Sequence, residues 1–511
     1  MPARDRQNAL RLERAIYARV AAAMRYPDPS SLLKDLSRDR QRRYSPVEIS
    51  ARWATAAAQN RPGTAWNLYV HVPYCKSICD FCNYSRLRVS STEALDAYAA
   101  FIAAEARLLA PALRGVRFGA IYIGGGTPSV LSARQLEVLF SALFASFDFE
   151  PHAQKTFEFD PMVMTEDRHE VVRRFGFSRF SFGIQSLQPD VNRSHNRGPQ
   201  SAYHVDRQFE LLERHGRGTA NVDFLLGLAG TTPEQMLADI EQVLSKHEPN
   251  QVCVYFIFPT DEYVAKHFGG QVARFREFLA PFEARLPAAL AELAQRLGYE
   301  MMPDGHHILR LTRRRPLKNG FFTKPEFNYC DVPSEIHRPL HVLGLGDSAR
   351  SRIFGSLWYR ADHDHGAHDP NEQRYVGIDA SLADEMFEYV AMLTRDAPAI
   401  SREFFRRTFA ADFVETFARP LRKLEELGAA QIEADRVLLT AGTRHERLRD
   451  LLFLLPSERR GALGSLPGSA STAVAAPARA QVVPPPLPKG AKLLSAAAPA
   501  HEALGDEREG Q

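Results

Sequence analysis

Residues 71–82 read HVPYCKSICDFC and place three cysteines, Cys75, Cys79 and Cys82, in one C-x3-C-x2-C motif. The whole chain contains only five cysteines. Three thiolates are one ligand short of the four that a tetrahedral zinc site needs. They can hold three irons of a [4Fe–4S] cluster, for which cysteine thiolates are the usual ligands. The fourth iron would be open to a substrate or cofactor, so the motif predicts chemistry rather than a structural role.

Three other interpretations of these cysteines are open. His71 could join them in a Cys3His zinc site, or the thiols could be unligated core residues. Disulfides are disfavoured, because a chain of 511 residues with five cysteines and no secretory signal pattern is typical of a reduced, intracellular protein. The spacing favours the cluster over zinc, and zinc over inert thiols.

The overall composition excludes several classes of function. Lys and Arg number 64 against 61 Asp and Glu, a net charge of +3, which gives no indication of a nucleic-acid partner. No apolar run reaches the ~18–20 residues that a membrane-spanning helix needs. We therefore expect a cytoplasmic protein.

Between residues 67 and 260, short β-branched or aromatic runs alternate with amphipathic stretches. Strands are predicted at residues 68–72, 120–123, 156–159, 179–182, 222–226 and 252–258, and helices at 94–109, 133–144, 166–175, 202–215 and 233–246. Alternating βα units predict an α/β fold with a parallel sheet. Six units are too few for an eight-stranded barrel, so we expect a partial (β/α)6 barrel. Its active site should lie at the carboxyl ends of the strands, where Cys75 follows the first one.

The composition also divides the chain into five predicted parts. Residues 1–66 form a helical N-terminal extension, residues 67–300 the α/β core, and residues 301–379 an accessory, substrate-side region. Residues 380–455 contain helical patterns followed by a hairpin pattern at 430–440, which suggests a C-terminal winged-helix-like domain. Residues 456–511 are predicted to be a disordered tail, because residues 462–499 are mostly Ala, Pro, Ser and Gly.

A glycine-rich stretch follows the second predicted strand, where residues 121–129 read IYIGGGTPS. Glycines at 124, 125 and 126 remove side chains, so the backbone can approach a ligand closely and present its N–H groups to a carboxylate. Many turns contain glycine, and the stretch alone is weak evidence. One strand after the cysteine motif, it predicts a ligand site.

Together with YVHVPYC at residues 69–75, these motifs resemble radical S-adenosylmethionine (SAM) enzymes. More narrowly, the chain is similar to the oxygen-independent coproporphyrinogen III oxidase group, which includes the haem chaperone (HemW-like) and HemN-like methyltransferases. Further matches occur in family order: FEFDP at 157–161, SFGIQS at 181–186, HNR at 195–197, NVDFLLGL at 221–228 and GLGDSA at 344–349. The resemblance covers roughly residues 66–455 and favours the cluster strongly.

The resemblance implies a cofactor site. Cys75, Cys79 and Cys82 would ligate the [4Fe–4S] cluster, and SAM would chelate the open iron. The implied SAM pocket consists of Tyr69, Gly125, Gly126, Thr127, Glu158, Gln185, Arg197 and Asp223. A carboxylate such as Glu158 suits an ammonium group, and the Arg197 guanidinium suits a carboxylate. Phe81 would cover the cluster, with plain core packing as the alternative.

The implied reaction begins with an electron from a donor such as flavodoxin or ferredoxin. SAM is then cleaved to methionine and a 5′-deoxyadenosyl radical, which abstracts hydrogen from a small-molecule substrate. The resemblance suggests a tetrapyrrole of porphyrin biosynthesis, although no catalytic residue for that step can be named. Two alternatives are a HemN-like methyltransferase that uses two SAM molecules and a haem-binding chaperone of the HemW type.

Departures from the family pattern indicate a divergent member. Tyr84 stands where the coproporphyrinogen oxidase has a fourth cysteine, and Asn83-Tyr84 only approximates the Asp-Phe pair of the chaperone. These differences argue against strict coproporphyrinogen decarboxylation.

Four further features remain ambiguous in the sequence. A His-rich run containing His363, His365 and His368 could bind metal or haem, but a solvated loop is favoured. A basic cluster could bind propionates, with a solvated face favoured, and it consists of Arg310, Arg313, Arg314 and Arg315. Cys253 is predicted to be a small buried residue of a strand. Cys330 is isolated.

Overall fold

The structure is a computed structural model that describes residues 40–59, 63–216, 218–257, 260–304, 308–313, 339–362, 375–382, 384–386, 399–426 and 428–439. Several predictions fall outside these residues. They concern the helical pattern before residue 40, the tail at 456–511, Cys330, Arg314, Arg315, and the run that contains His363, His365 and His368.

Eighteen strands and twelve α-helices make up the described chain. The amino-terminal half contains β1 (Arg42–Tyr44), α1 (Pro46–Gln59), β2 (Ala65–Val72), β3 (Tyr74–Cys75), β4 (Leu87–Arg88), α2 (Thr92–Leu109), β5 (Arg117–Gly125), α3 (Ala133–Ser146), β6 (Asp148–Phe159), α4 (Glu166–Arg174), β7 (Arg179–Gln185), α5 (Pro189–Ser194), α6 (Ala202–Arg214), β8 (Thr219–Leu226), α7 (Pro233–His247) and β9 (Gln251–Phe256). The remainder contains α8 (Asp261–Phe268), α9 (Val272–Arg296), β10 (Tyr299–Asp304), β11 (Ile308–Arg313), β12 (Leu340–Leu345), β13 (Arg350–Ile353), β14 (Leu357–Ala361), β15 (Tyr375–Asp379), β16 (Ala399–Ser401), α10 (Arg402–Phe409), α11 (Phe413–Thr416), α12 (Ala418–Glu426), β17 (Ala430–Ile432) and β18 (Arg436–Leu439).

One 13-stranded sheet organises most of these elements, in the order β1-β15-β14-β13-β12-β2-β5-β6-β7-β8-β9-β11-β10. The strands from β2 through β5, β6, β7 and β8 to β9 are parallel and lie in chain order. The predicted α/β class and the six parallel strands are therefore confirmed. The sequence did not predict that β12 adds a seventh parallel strand beside β2, or that antiparallel strands extend both edges.

The parallel strands separate apolar from polar side chains, because successive residues of a strand point to opposite faces. On one face the side chains are apolar and buried, among them Val70, Ile123, Phe157, Phe180 and Val222. We call the opposite face the polar face. Its residues lie beside one another on neighbouring strands and include Tyr122, Thr156, Glu158, Arg179, Ser181, Asn221, Asp223, Cys253 and Arg310. Such a polar surface suits ligand binding better than core packing.

Side-chain caps fix where several connecting helices begin. Ser91 accepts a hydrogen bond from the Ala94 backbone N–H at the start of α2. Ser132 and Gln135 form a reciprocal capping box at the start of α3, and Thr232 caps α7. These caps satisfy orphan N–H groups. Each helix can therefore start soon after the loop that follows a strand.

The segments flanking the core also contribute to the sheet. β1 pairs with β15, and the indole N–H of Trp53 in α1 donates to the hydroxyl of Tyr359 at 2.7 Å. Among the helical patterns predicted within residues 380–455, the stretch from Phe413 to Glu426 forms two helices, α11 and α12, on either side of Phe417. A three-stranded sheet, β16-β18-β17, accompanies α10, α11 and α12. The winged-helix-like domain and the other predicted domain boundaries stay predictions.

None of the helices in the described ranges combines the length and the apolar character required to cross a membrane.

Candidate active site

The cysteine loop, residues 75–82, is closed by backbone hydrogen bonds. The N–H of Leu87 donates to Pro73 O at 2.7 Å, and that of Val89 donates to Cys75 O at 3.0 Å. Inside the loop, the Cys82 N–H donates to Cys79 O at 3.2 Å. All three motif cysteines are half-buried and carry free thiols. The loop thus holds three thiols at the carboxyl end of β2.

The glycine loop, residues 124–127, packs directly against the cysteine loop. The hydroxyl of Thr127 donates to the Cys75 sulfur at 3.4 Å, and its N–H donates to Tyr74 O at 2.9 Å. A Cβ on Gly126 would meet the Cys75 sulfur at 2.9 Å and Pro73 O at 2.6 Å. Only glycine allows this approach, which explains one of the three glycines in the motif.

The donor set distinguishes a cluster from a zinc site. His71 cannot readily serve as a fourth ligand, because its Nδ1 contacts the Tyr69 hydroxyl at 2.8 Å and its Nε2 contacts Ser85 O at 3.1 Å. A tetrahedral zinc site, with Zn–S near 2.3 Å, needs sulfurs about 3.8 Å apart. In the described part of the chain, the one group of three potential ligand atoms within 4.8 Å of one another does not include the motif cysteines. The thiols therefore fit a wider cluster better than single zinc.

Burial gives these thiols an unfavourable environment for negative charge. It raises the pKa of Cys75 to about 11, and it raises the pKa values of Cys79 and Cys82 as well. Neutral thiols must lose their protons to become ligands. A positive metal centre would supply the compensation that the protein alone lacks.

Two carboxylates lie on the polar face beside these loops. Glu158 accepts a hydrogen bond from the Gly125 N–H at 3.3 Å, and Asp223 accepts one from the Asn221 amide at 2.9 Å. Burial, together with the negative charge of Asp223, raises the pKa of Glu158 to about 8. Burial raises the pKa of Asp223 to about 6. The pair favours a positively charged or hydroxyl-bearing ligand.

Arg197 connects the end of β7 with the cysteine loop. Its guanidinium donates to Gly183 O at 2.5 Å and lies 3.4 Å from the Asp160 carboxylate, and its positive charge opposes the rise that burial causes in the pKa of Cys79. Its Nε is buried without a partner. Gln185, also predicted for the pocket, has a left-handed backbone with φ of 65° at the end of β7. The structure thus brings both residues to the same end of the sheet as the cysteines.

Tyr69 and Phe81 occupy more enclosed positions. The Ser85 carbonyl must accept from His71 Nε2–H, so His71 Nδ1 accepts the hydrogen bond that the Tyr69 hydroxyl donates. The ring of Phe81 packs against the hydrophobic core and lies 6.1 Å from the His195 ring. The predicted roles of Tyr69 in the SAM pocket and of Phe81 in covering the cluster stay predictions.

Sequence reasoning missed most of the polar face. Cys253 is buried as predicted, yet its thiol donates to Asn221 Oδ1 at 3.4 Å and it lies in register with Arg310. The basic cluster is split, since Arg313 instead forms an ion pair with Glu248 at 2.5 Å. Period-two alternation of polar residues, as in Arg179-x-Ser181 and Asn221-x-Asp223, was the available signal.

The segment that contains both loops is similar to a known protein family. Residues 69–243, from β2 into α7, match the Radical SAM superfamily. This segment is a radical SAM domain. Enzymes of this superfamily use a [4Fe–4S] cluster and SAM, and the free thiols, glycine loop and neighbouring carboxylates fit both groups. The match is confined to residues 69–243, which contain the cysteine loop, the glycine loop and both carboxylates.

The relatives of the chain include oxygen-independent coproporphyrinogen III oxidases. The Paracoccus denitrificans enzyme is 30% identical over 303 residues, which cover 57% of this chain and 63% of that enzyme. The Helicobacter pylori enzyme is 25% identical over 372 residues, covering 70% and 78%, respectively. The aligned part thus spans less than two thirds of the Paracoccus relative.

A solved structure supports the fold beyond the radical SAM domain. Coproporphyrinogen III oxidase (HemN) from Escherichia coli, described as a radical SAM enzyme, superimposes with a TM-score of 0.61 at 21% identity. The match covers 79% of this chain and 92% of that one. At this identity the likeness establishes a shared fold.

Proposed function

We propose that this chain reductively cleaves SAM at a [4Fe–4S] cluster ligated by Cys75, Cys79 and Cys82 and acts on a tetrapyrrole. The contact between Thr127 and Cys75 carries the proposal, because it joins a three-thiol loop to a glycine loop. When bound, the cluster supplies the electron that cleaves SAM to methionine and a 5′-deoxyadenosyl radical. We expect the electron donor to be a flavodoxin or ferredoxin. A cytoplasmic location also stays a prediction.

The protein's contribution is to bind and orient SAM. The Glu158 carboxylate would accept hydrogen bonds from the ammonium group of SAM, and the Asp223 carboxylate would accept them from its ribose hydroxyls. Gly125 and Gly126 would let the backbone approach the amino-acid part, which Tyr69 and Thr127 would line. Gln185 and Arg197 would close the pocket, with the Arg197 guanidinium available to a carboxylate.

The polar face supports a carboxylate-bearing substrate. Arg310 lies in register with Cys253, which in turn lies in register with Asp223. Arg179 is on the same face and donates to Gln251 at 2.8 Å. Guanidinium groups near a pocket recognise carboxylates such as propionates. Propionates are also what the resemblance to coproporphyrinogen oxidases leads us to expect.

The test is anaerobic reconstitution followed by product analysis. The parent protein and the Cys79→Ala variant would be reconstituted with iron and sulfide, reduced with dithionite and incubated with SAM. Methionine and 5′-deoxyadenosine would be measured without substrate, with coproporphyrinogen III and with haem. We expect both products from the parent only, with more 5′-deoxyadenosine when the tetrapyrrole is present. A parent that binds no cluster and releases no methionine contradicts the proposal.

The same experiment distinguishes the two alternatives. A HemN-like methyltransferase produces S-adenosylhomocysteine and a methylated product alongside 5′-deoxyadenosine. A haem-binding chaperone binds haem stoichiometrically, with no substrate-dependent release of 5′-deoxyadenosine.

A further inference from the structure

A buried acidic residue lies inside the cysteine loop. Asp80, which follows Cys79 directly, is only 4% exposed. Its Oδ2 accepts a hydrogen bond from Lys266 Nζ at 2.7 Å and another from His267 Nε2 at 2.7 Å. Both donors belong to α8, the helix that follows the last strand of the parallel series. We call these three residues the loop clamp.

The loop clamp also holds the turn that follows α5. The Asp80 N–H donates to His195 O at 3.4 Å, and Lys266 Nζ donates to Ser194 O at 3.0 Å. The rings of His195 and His267 stack with their centroids 4.4 Å apart. Arg197 follows in the same turn. One helix thus contacts both the loop with the three thiols and the turn that contains Arg197.

The buried negative charge of Asp80 requires a positively charged partner. A buried carboxylate is costly unless it is paired and hydrogen-bonded. Asp80 would also lie beside the negative thiolates of a loaded cluster. Lys266 supplies a positive charge at this point, and the reduction potential of an iron–sulfur cluster depends on nearby charge and hydrogen bonding.

A divalent metal site is the competing interpretation, since Asp80, His195 and His267 offer ligand atoms within 4.8 Å of one another. The Lys266 ammonium, however, already contacts Asp80 Oδ2 at 2.7 Å. The ring of His195 is engaged as well, because its Nδ1 lies 2.7 Å from Val191 O and its Nε2 lies 3.3 Å from the Tyr263 hydroxyl. A divalent cation bound to Asp80 would be repelled by the ammonium group of Lys266, which contacts the same carboxylate. The geometry favours the ion pair.

We propose that Lys266 and His267 are positioning residues that hold the cysteine loop in register with the Arg197 turn. The effect on the cluster rests on the proposed function, whereas the effect on the loop itself does not. Loss of the clamp should loosen the loop, speed the loss of iron, weaken SAM binding and make the cluster harder to reduce.

The chain contains a matched control. Lys246 and His247, at the end of α7, contact Asp206 of α6 in the same way, each at 2.7 Å. This second clamp has the same side-chain types and the same sequence spacing, but it joins α7 to α6, and its aspartate side chain is 25% exposed against 2% for that of Asp80. Its removal reports what losing such an ion pair does to general stability.

The experiment compares the double variant Lys266→Met/His267→Gln with the control Lys246→Met/His247→Gln. Lys266→Arg tests rescue by a conservative change, and Asp80→Asn/Lys266→Met removes both charges in case an unpaired carboxylate prevents folding. Hydrogen exchange of the cluster-free proteins reports on residues 75–82 and 194–197. Chelator-driven iron release, SAM affinity and the midpoint potential are then measured on reconstituted protein.

The proposal predicts faster exchange in both segments for the two loop-clamp double variants only. It also predicts about tenfold faster iron release and about tenfold weaker SAM binding for both variants, since a charged hydrogen-bond partner is lost. A more negative midpoint potential is expected for Lys266→Met/His267→Gln, which loses positive charge, but not for Asp80→Asn/Lys266→Met, in which the two lost charges cancel. Lys266→Arg should remain near the parent. Exchange and iron release equal to those of the control pair overturn the proposal.

Two other outcomes are distinct. One bound divalent ion per parent chain, absent from the double variant, overturns the proposal in favour of the metal site. A parent that takes up no cluster contradicts the proposed function, while the exchange measurement still decides whether the clamp holds the loop.

Discussion

The backbone N–H of Gly125 donates a hydrogen bond to the side-chain carboxylate of Glu158 at 3.3 Å, across the neighbouring strands β5 and β6. A Cβ on Gly124 would lie 2.5 Å from the same carboxylate. The absence of side chains in the glycine loop therefore allows two close approaches, of the Glu158 carboxylate to Gly124 and of the cysteine loop to Gly126. Since one neutral N–H cannot compensate a buried charge fully, the pKa of Glu158 is raised to about 8.

Cys79→Ala should abolish the cluster. We expect the reconstituted parent to bind about four irons per chain and the variant to bind almost none, because only three cysteines hold the cube. Cys253→Ala is the control, since its buried thiol belongs to β9 and not to the cysteine loop. Iron content and visible absorbance, measured anaerobically, decide the matter. Normal cluster absorbance in Cys79→Ala would contradict the ligand assignment.

Glu158→Gln should weaken SAM binding while iron content stays near the parent level. Losing a charged partner in a desolvated pocket costs ~1.5–3 kcal/mol, or roughly ten- to a hundredfold in affinity. The dissociation constant should be measured at pH 8.5, where the parent carboxylate is more fully ionised. Glu150→Gln, an exposed glutamate on the same strand, serves as the control. Equal affinities in all three proteins would remove Glu158 from the pocket.

The raised pKa of Glu158 also predicts how stability changes with pH. The ordinary value is 4.5 and the folded value is about 8. Between these values the folded state keeps a proton that the unfolded state has lost, so this group makes stability fall as pH rises. Without SAM, Glu158→Gln should therefore be more stable than the parent at pH 9, on the order of 2–4 kcal/mol after discounting for partial exposure. Denaturant titrations at pH 5.5 and pH 9 test this, and a pH-independent difference would contradict it.

Gly126→Ala should displace the cysteine loop, because the added Cβ would meet Cys75 Sγ at 2.9 Å and Pro73 O at 2.6 Å. We expect a loss of most reconstituted iron. Gly119→Ala, on the strand β5 that leads to the glycine loop, is the control, since the atoms nearest to its Cβ belong to the flexible end of Glu150, at 3.3 Å. Iron per chain and melting temperature should be compared in both variants. Full iron retention in Gly126→Ala would show that the loop can shift without cost.

Sequence patterns predicted the features that depend on residues close together in the chain, namely the strands, the helices and the cysteine motif. The β-branched and aromatic runs and the amphipathic stretches between them predicted the six parallel strands and their helices, and the spacing of Cys75, Cys79 and Cys82 predicted the cluster motif. The patterns could not predict that β12 returns beside β2, because strand pairing over such a separation has no local signal. The polar face was missed because the strands were predicted from their β-branched and aromatic residues, without regard to the polar residues that alternate with them.

The loop clamp could not have been predicted from the sequence. Lys266 and Asp80 are separated by 186 positions and meet only because α8 follows the last parallel strand and turns back toward the first. A Lys-His pair at a helix end is otherwise typical of a surface, where it favours the negative end of the helix dipole.

The pairing of β12 with β2 has a consequence for synthesis. β5 emerges from the ribosome soon after β2, whereas β12 emerges only after the other parallel strands. Until then the strand that leads to Cys75 has an unpaired edge, and such edges are templates for wrong association. Contacts so distant along the chain also slow folding. A nascent chain that stalls before residue 340 therefore exposes an unpaired strand edge next to the three thiols of the cysteine loop.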